Sequence, residues 1–155
     1  MKNRKIENQV YKIFPNDLNP QGTIFGGRVL ELIDMLGGIV AMRHSGKICV
    51  TASMDNIDFI APAKAGDLLI FKAAINNVWN TSCEIGIKVF VEDCKTREKK
   101  HLASAYLTFV SLDEEGKPTA MPKIVPKTKQ EKRRFQDAEK RRAIRLARKQ
   151  AREEK

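Results

Sequence analysis

The segment Gly26–His44 (GGRVLELIDMLGGIVAMRH) constrains the fold more than any other part of this chain. It has no proline and is rich in Leu, Ile, Val and Met, which predicts one long helix. Val29, Leu30, Leu32, Ile33, Met35, Leu36, Ile39, Val40 and Met42 are spread around its whole circumference. A helix apolar on all sides is normally buried. With 155 residues the chain can build one continuous core, so the expected solution is a curved sheet wrapped around that helix.

The strands needed for such a sheet are legible. Glu7–Phe14 reads as a short first strand ending at Pro15, and Pro15–Gly22 (PNDLNPQG) as a turn-rich loop. After the helix come about Ile48–Phe59, Asp67–Val78, Ser82–Glu92 and His101–Leu112, the last closing at the turn Asp113–Pro118. In Ser82–Glu92, Ile85, Ile87, Val89 and Val91 face one way while Glu84, Lys88 and Glu92 face the other. In Ile48–Phe59 the apolar positions are even as far as Met54 and odd at Ile57 and Phe59, which predicts a β-bulge near Asp55–Asn56. Four consecutive strands after the helix suggest a meander. The fold class is α+β, an antiparallel sheet around one central helix.

The net charge of +10 is unevenly placed. After Pro126 there are 13 Lys and Arg against 5 Asp and Glu. The basicity therefore belongs to a tail, 127–155, and not to the domain, 1–126. The tail is made of good helix formers, and Phe135, Ile144 and Leu146 form no sustained seam, so a solvated or partly frayed helix is expected. No apolar run reaches the roughly 18 to 20 residues of a membrane span. Met1–Glu7 lacks a signal-peptide core, and Cys49, Cys83 and Cys94 form no Cys-x-x-Cys pair. These features suggest a cytoplasmic protein with structural thiols.

Chemistry is constrained by what is missing. There is no Gly-x-Ser-x-Gly elbow, no phosphate-binding Gly-rich loop and no metal-ligand spacing. The only histidines are His44, which suits the C-terminal end of the helix, and His101. What stands out is Asp34, an acid in mid-helix among Leu32, Ile33, Met35 and Leu36, followed by the helix-weakening pair Gly37-Gly38. Helical spacing places Gly27, Glu31, Asp34 and Gly38 on one stripe. That stripe is either a hydrated face or a groove into which the carboxylate points. Gly26-Gly27 would present unobstructed N–H groups at a helix N-terminus, a place suited to developing negative charge. Gly26 and Asp34 lie about 12 Å apart along one helix. If both serve one carbonyl, they come from two subunits.

Asn16–Gly46, with its Asn-x-x-Gly, Phe-Gly-Gly and an acid nine residues after the Phe, resembles the signature region of hotdog-fold acyl-CoA thioesterases. The likeness runs on through Asp55–Asp67 (DNIDFIAPAKAGD), the turn carrying Ser82 and Leu107–Val110. It implies hydrolysis of acyl-CoA with Asp34 as general base or nucleophile, Asn19 contributed by the opposing subunit, and Gly26 as the oxyanion-hole amide. For CoA it implies the strand edges and loops of Thr51–Pro62 and the turn at Ser82, with Arg43, Lys64 and Lys88 as basic candidates that the motif does not fix. It further implies a dimer, commonly a trimer of dimers. No cofactor or metal is expected, coenzyme A being part of the substrate, and no membrane or nucleic-acid partner. A dehydratase would need a histidine paired with an acid, for which neither histidine is placed. A non-catalytic acyl-CoA-binding regulator with a nucleic-acid-contacting tail is the remaining alternative.

Overall fold

The computed structural model describes residues 4–155. Its strands are β1 (Lys5–Lys12), β2 (Ile48–Met54), β3 (Leu68–Val78), β4 (Ser82–Glu92) and β5 (Lys99–Leu112). They form one antiparallel sheet in the order β1-β3-β4-β5-β2. The helix α1 (Gly26–Ser45) packs on one face, called inner here, and α2 (Lys129–Glu153) packs on the other. The meander is thus confined to β3–β5. After β2 the chain crosses the sheet through residues 55–67, pinned where Ile60 N–H donates to Leu102 O (2.9 Å). Ile57, Ala61 and Ala63 of that crossing pack against the core and replace the expected continuation of β2.

The bulge also lies earlier than the sequence pattern indicates. Register shifts between Thr51 and Ser53, leaving Ala52 as the extra residue. Cys49 and Thr51 therefore turn inward, as does Met54, while Ile48 and Val50 face out and are 69% and 43% exposed. The expectation that the even row of β2 serves the core fails, because the bulge reverses the alternation within the strand.

Burial of α1 is incomplete. Val29, Leu32, Ile33, Leu36 and Val40 pack inward, but Met35 and Met42 remain 54% and 49% exposed. Gly37 has a packing reason: a Cβ there would lie 2.9 Å from the Phe109 ring, itself 2% exposed. The helix approaches the sheet closely over Phe109, a burial that contributes about 1.5–3 kcal/mol. At its end, Gly46 closes α1 in left-handed backbone (φ 69°), its N–H bonded to Met42 O. His44 lies in the same last turn. It is fully buried, and its Nε2 lies 2.6 Å from Pro122 O, tying α1 to the segment that leads into α2.

The tail is not merely solvated. Thr128 and Glu131 form a capping box that starts α2. From there the helix lies across the outer face, where Glu84 is fully buried. Arg141 meets that carboxylate through Nη2 (2.6 Å) and Nε (3.1 and 3.2 Å), Arg145 Nη1 approaches it at 2.9 Å, and Asn76 Nδ2 donates at 2.9 Å. Arg145 also bonds Asp55 (2.9 Å). Arg141 stacks on Tyr106, and Trp79 Nε1 donates to Glu139 (2.8 Å). The seam between helix and sheet is ionic and aromatic, so an apolar count does not find it.

Candidate active site

The loop before α1 is built around two polar side chains. Asp17, 7% exposed, accepts from Phe14 N–H (2.9 Å) and the Tyr11 hydroxyl (2.8 Å), and Arg28 Nε lies 3.3 Å away. Burial pushes its carboxyl up, but those hydrogen bonds and Arg28 outweigh it and hold the group below its ordinary 3.8. Such a group contributes stability at pH values above about 3.8, lost as pH falls from there through the lower folded value. Asp17→Asn is expected to lower the urea midpoint clearly at pH 7 and to converge on the parent toward pH 3. A gap of the same size at both pH values would show that the charge contributes nothing.

Asn19 organises the next turn. Its Oδ1 accepts from Gln21 N–H (3.0 Å) and Thr23 N–H (3.1 Å), and its Nδ2 donates to Thr23 Oγ1 (2.9 Å). One amide hydrogen is left without an acceptor among the described residues. Phe25 then leads into α1, and its carbonyl takes the N–H groups of Arg28 and Val29 (2.9 and 3.4 Å). The N–H groups of Gly26 and Gly27 meet no acceptor among the described residues. Phe59 lies 3.6 Å from where a Gly26 Cβ would stand, while a Cβ on Gly27 would run into the Phe25 ring at 2.5 Å.

Two turns further on, Asp34 is half-buried and its Oδ1 accepts from the Thr51 hydroxyl at 2.5 Å. Thr51 stands opposite Phe109 on the inner face, so the strand pair that seats α1 also fixes its carboxylate. The second oxygen, Oδ2, has no hydrogen bond among the described residues. No histidine is near: His101 bonds Ala103 O and Ser104 on β5. Burial raises the Cys49 thiol, a bond from Ser45 opposing it, and pushes Cys83 up to about 12. Neither thiol is an activated nucleophile.

Thus the structure joins Asp34 and Thr51, and places Asn19 in the turn before α1 and Gly26 at its first residue. It does not gather the CoA candidates in one chain. Ser82 opens β4 beside the turn closed by Trp79 N–H and Ser82 O (2.8 Å). Arg43 is exposed in the last turn of α1, about 25 Å from Gly26 at helical rise. Lys64 is exposed in the crossing, where its N–H donates to Asp67 (2.9 Å), and Lys88 lies on the outer face. The Thr51–Asp34 bond has no signal in the sequence, where the apolar pattern of β2 puts Thr51 on the outward row.

Residues 21–98 match the thioesterase superfamily. The protein VdlD of Helicobacter pylori is 46% identical over 87% of this chain and 77% of its own length. The chain belongs to the thioesterase superfamily. Among solved structures, an apo-hexameric acyl-CoA thioesterase superposes with a TM-score of 0.89 at 36% identity, covering 94% of this chain and 92% of that one. An acyl-CoA hydrolase from Staphylococcus aureus, in complex with butyryl-CoA and CoA, superposes with a TM-score of 0.83 at 36% identity over 97% and 93% of the two chains. The S. aureus enzyme has also been solved with an aspartate, an asparagine or a threonine replaced by alanine. Sheet, long helix and C-terminal helix are those of a hotdog-fold thioesterase.

Proposed function

We propose that this thioesterase hydrolyses acyl-CoA to a free acid and CoA, with Asp34 as general base. The observation that carries the reading is a half-buried carboxylate fixed by the Thr51 hydroxyl beside the free β2 edge. The alanine positions of the S. aureus hydrolase support it: they have the same residue types and mutual spacing as Asn19, Asp34 and Thr51.

The open oxygen of Asp34 takes a proton from water as that water attacks the thioester carbonyl. Negative charge growing on the carbonyl oxygen is met by the N–H of Gly26 at the positive end of α1. The spare amide hydrogen of Asn19 orients the water or carbonyl. CoA leaves as a thiolate, which is stable enough near neutral pH to depart without a strong acid. A single carboxylate base can therefore suffice where no histidine is at hand.

Two subunits are needed for this arrangement, since hydrogen-bond reach is about 3 Å and Gly26 lies about 12 Å from Asp34 along α1. The unpaired edge of β2 and the exposed Met35, Met42, Ile48 and Val50 supply the surface for a second copy. The hexameric relative suggests that such dimers group in threes. No helix among the described residues is long and apolar enough to cross a membrane. A cytoplasmic setting, where acyl-CoA and free thiols such as Cys49 and Cys83 persist, fits this reading. Against the regulator alternative, Arg141 and Arg145 are occupied by Glu84 and Asp55. Thiol release from acyl-CoA is the test. Asn19→Ala and Asp34→Ala proteins should each be inactive, and mixing them under subunit exchange should restore part of the activity. Exchange without recovery would place each site within one chain.

A further inference from the structure

The outer face holds a cavity that the hydrolytic site does not use, a cleft of about 540 Å³ between α2 and the sheet. On its sheet wall, Lys72 and Lys88 are direct cross-strand partners. Like charges in that position repel. Across the cleft stand Arg133 and Arg134, from the first part of α2. None of the four has an ion-pair partner among the described residues. Between the two rows the floor is Ala74 opposite Gly86, with the Asn76 side chain lying over Gly86.

The contrast with the other end of the same face is informative. There Arg141 and Arg145 are matched by Glu84 and Asp55. At the Lys72–Lys88 end, the lining offers only Glu7 and Asp137, and Lys140 draws on Asp137 at 3.8 Å. Cations are thus gathered from two elements around an empty space with too little protein anion to balance them. Guanidinium forks facing ammonium groups suit phosphate oxygens. The volume falls in the range of small-molecule pockets, and the half-buried Phe90 ring gives the cleft a flat apolar wall.

We infer that this cleft is a second binding site, taking a phosphate-bearing small molecule of the nucleoside diphosphate class between Lys72–Lys88 on the sheet and Arg133–Arg134 on α2. The diphosphate can come from a free nucleotide or from the nucleotide end of a CoA molecule. Titration calorimetry on the full chain with pyrophosphate, ADP and CoA tests it. Saturable binding is expected, weakened at least about tenfold in a Lys72→Gln/Lys88→Gln variant and reduced by added salt. Without ligand, Lys88→Gln alone should raise Tm slightly, because the cross-strand repulsion is gone. Loss of ADP binding in the double variant identifies a free nucleotide, whereas loss confined to CoA identifies the nucleotide end of CoA; both support the site. No saturable binding by any of the three, binding indifferent to the lysine pair, or a single-stranded oligonucleotide bound far more tightly than ADP through the same residues would overturn it.

Discussion

Asp34→Asn is expected to lower kcat at least about a hundredfold, the scale on which general-base catalysis operates, while leaving assembly and Tm nearly unchanged. The substitution keeps the shape of the side chain and its acceptor toward Thr51, whose hydroxyl sits 2.5 Å from the present carboxylate. What disappears is the lone pair able to take a proton from water. KM should move little, because the loss is of an interaction made in the transition state. Thr51→Val separates orientation from basicity: the carboxylate stays, its anchor goes, and a smaller fall in kcat is expected. A folded Asp34→Asn protein releasing thiol at the parent rate would remove the carboxylate mechanism.

Removing Arg141 is expected to destabilise the protein by about 3–5 kcal/mol, the usual result of breaking a buried ion pair from one side. For a domain of this size that corresponds to a Tm lower by on the order of 10 °C. Glu84 is fully enclosed, and Arg141 supplies its shortest contact, 2.6 Å. Truncation after Pro126 strips away Arg145 and the cover over Asn76 and Tyr106 as well, and should cost at least as much. Glu84→Gln in the Arg141→Ala background should recover part of the loss, since it removes the stranded charge. If Arg141→Ala melts within a degree or two of the parent, α2 is dispensable to the fold.

Legibility along the chain followed the kind of interaction involved. Period-two and period-3.6 patterns located every strand and α1, because burial of apolar side chains writes itself directly into spacing. Asp34 stood out because an isolated acid conflicts with its apolar neighbours. Gly37 looked like part of the same anomaly, yet its cause is the Phe109 ring across the core, a contact between positions far apart in sequence. The role of α2 was hidden for a related reason: Arg141 and Arg145 resemble solvated charges until the strand bearing Glu84 is placed beneath them. Thr51 was expected near CoA, and its contact with Asp34 depends on a bulge that side-chain pattern placed several residues too late.

The extra residue at Ala52 makes β2 a strand of mixed parity. Ahead of it, odd-numbered side chains address α1; beyond it, the even-numbered Met54 does. A strand of this kind should accept many exchanges of one residue for another and hardly any change of length, since gaining or losing a single residue near Ala52 would swap which row points at the carboxylate. The hairpin between β4 and β5, where Asp93 holds the turn through Lys95 and Thr96 N–H (both 2.8 Å), carries no such parity. Among natural and laboratory variants of this chain, insertions and deletions should therefore accumulate at that hairpin and avoid the few residues around Ala52.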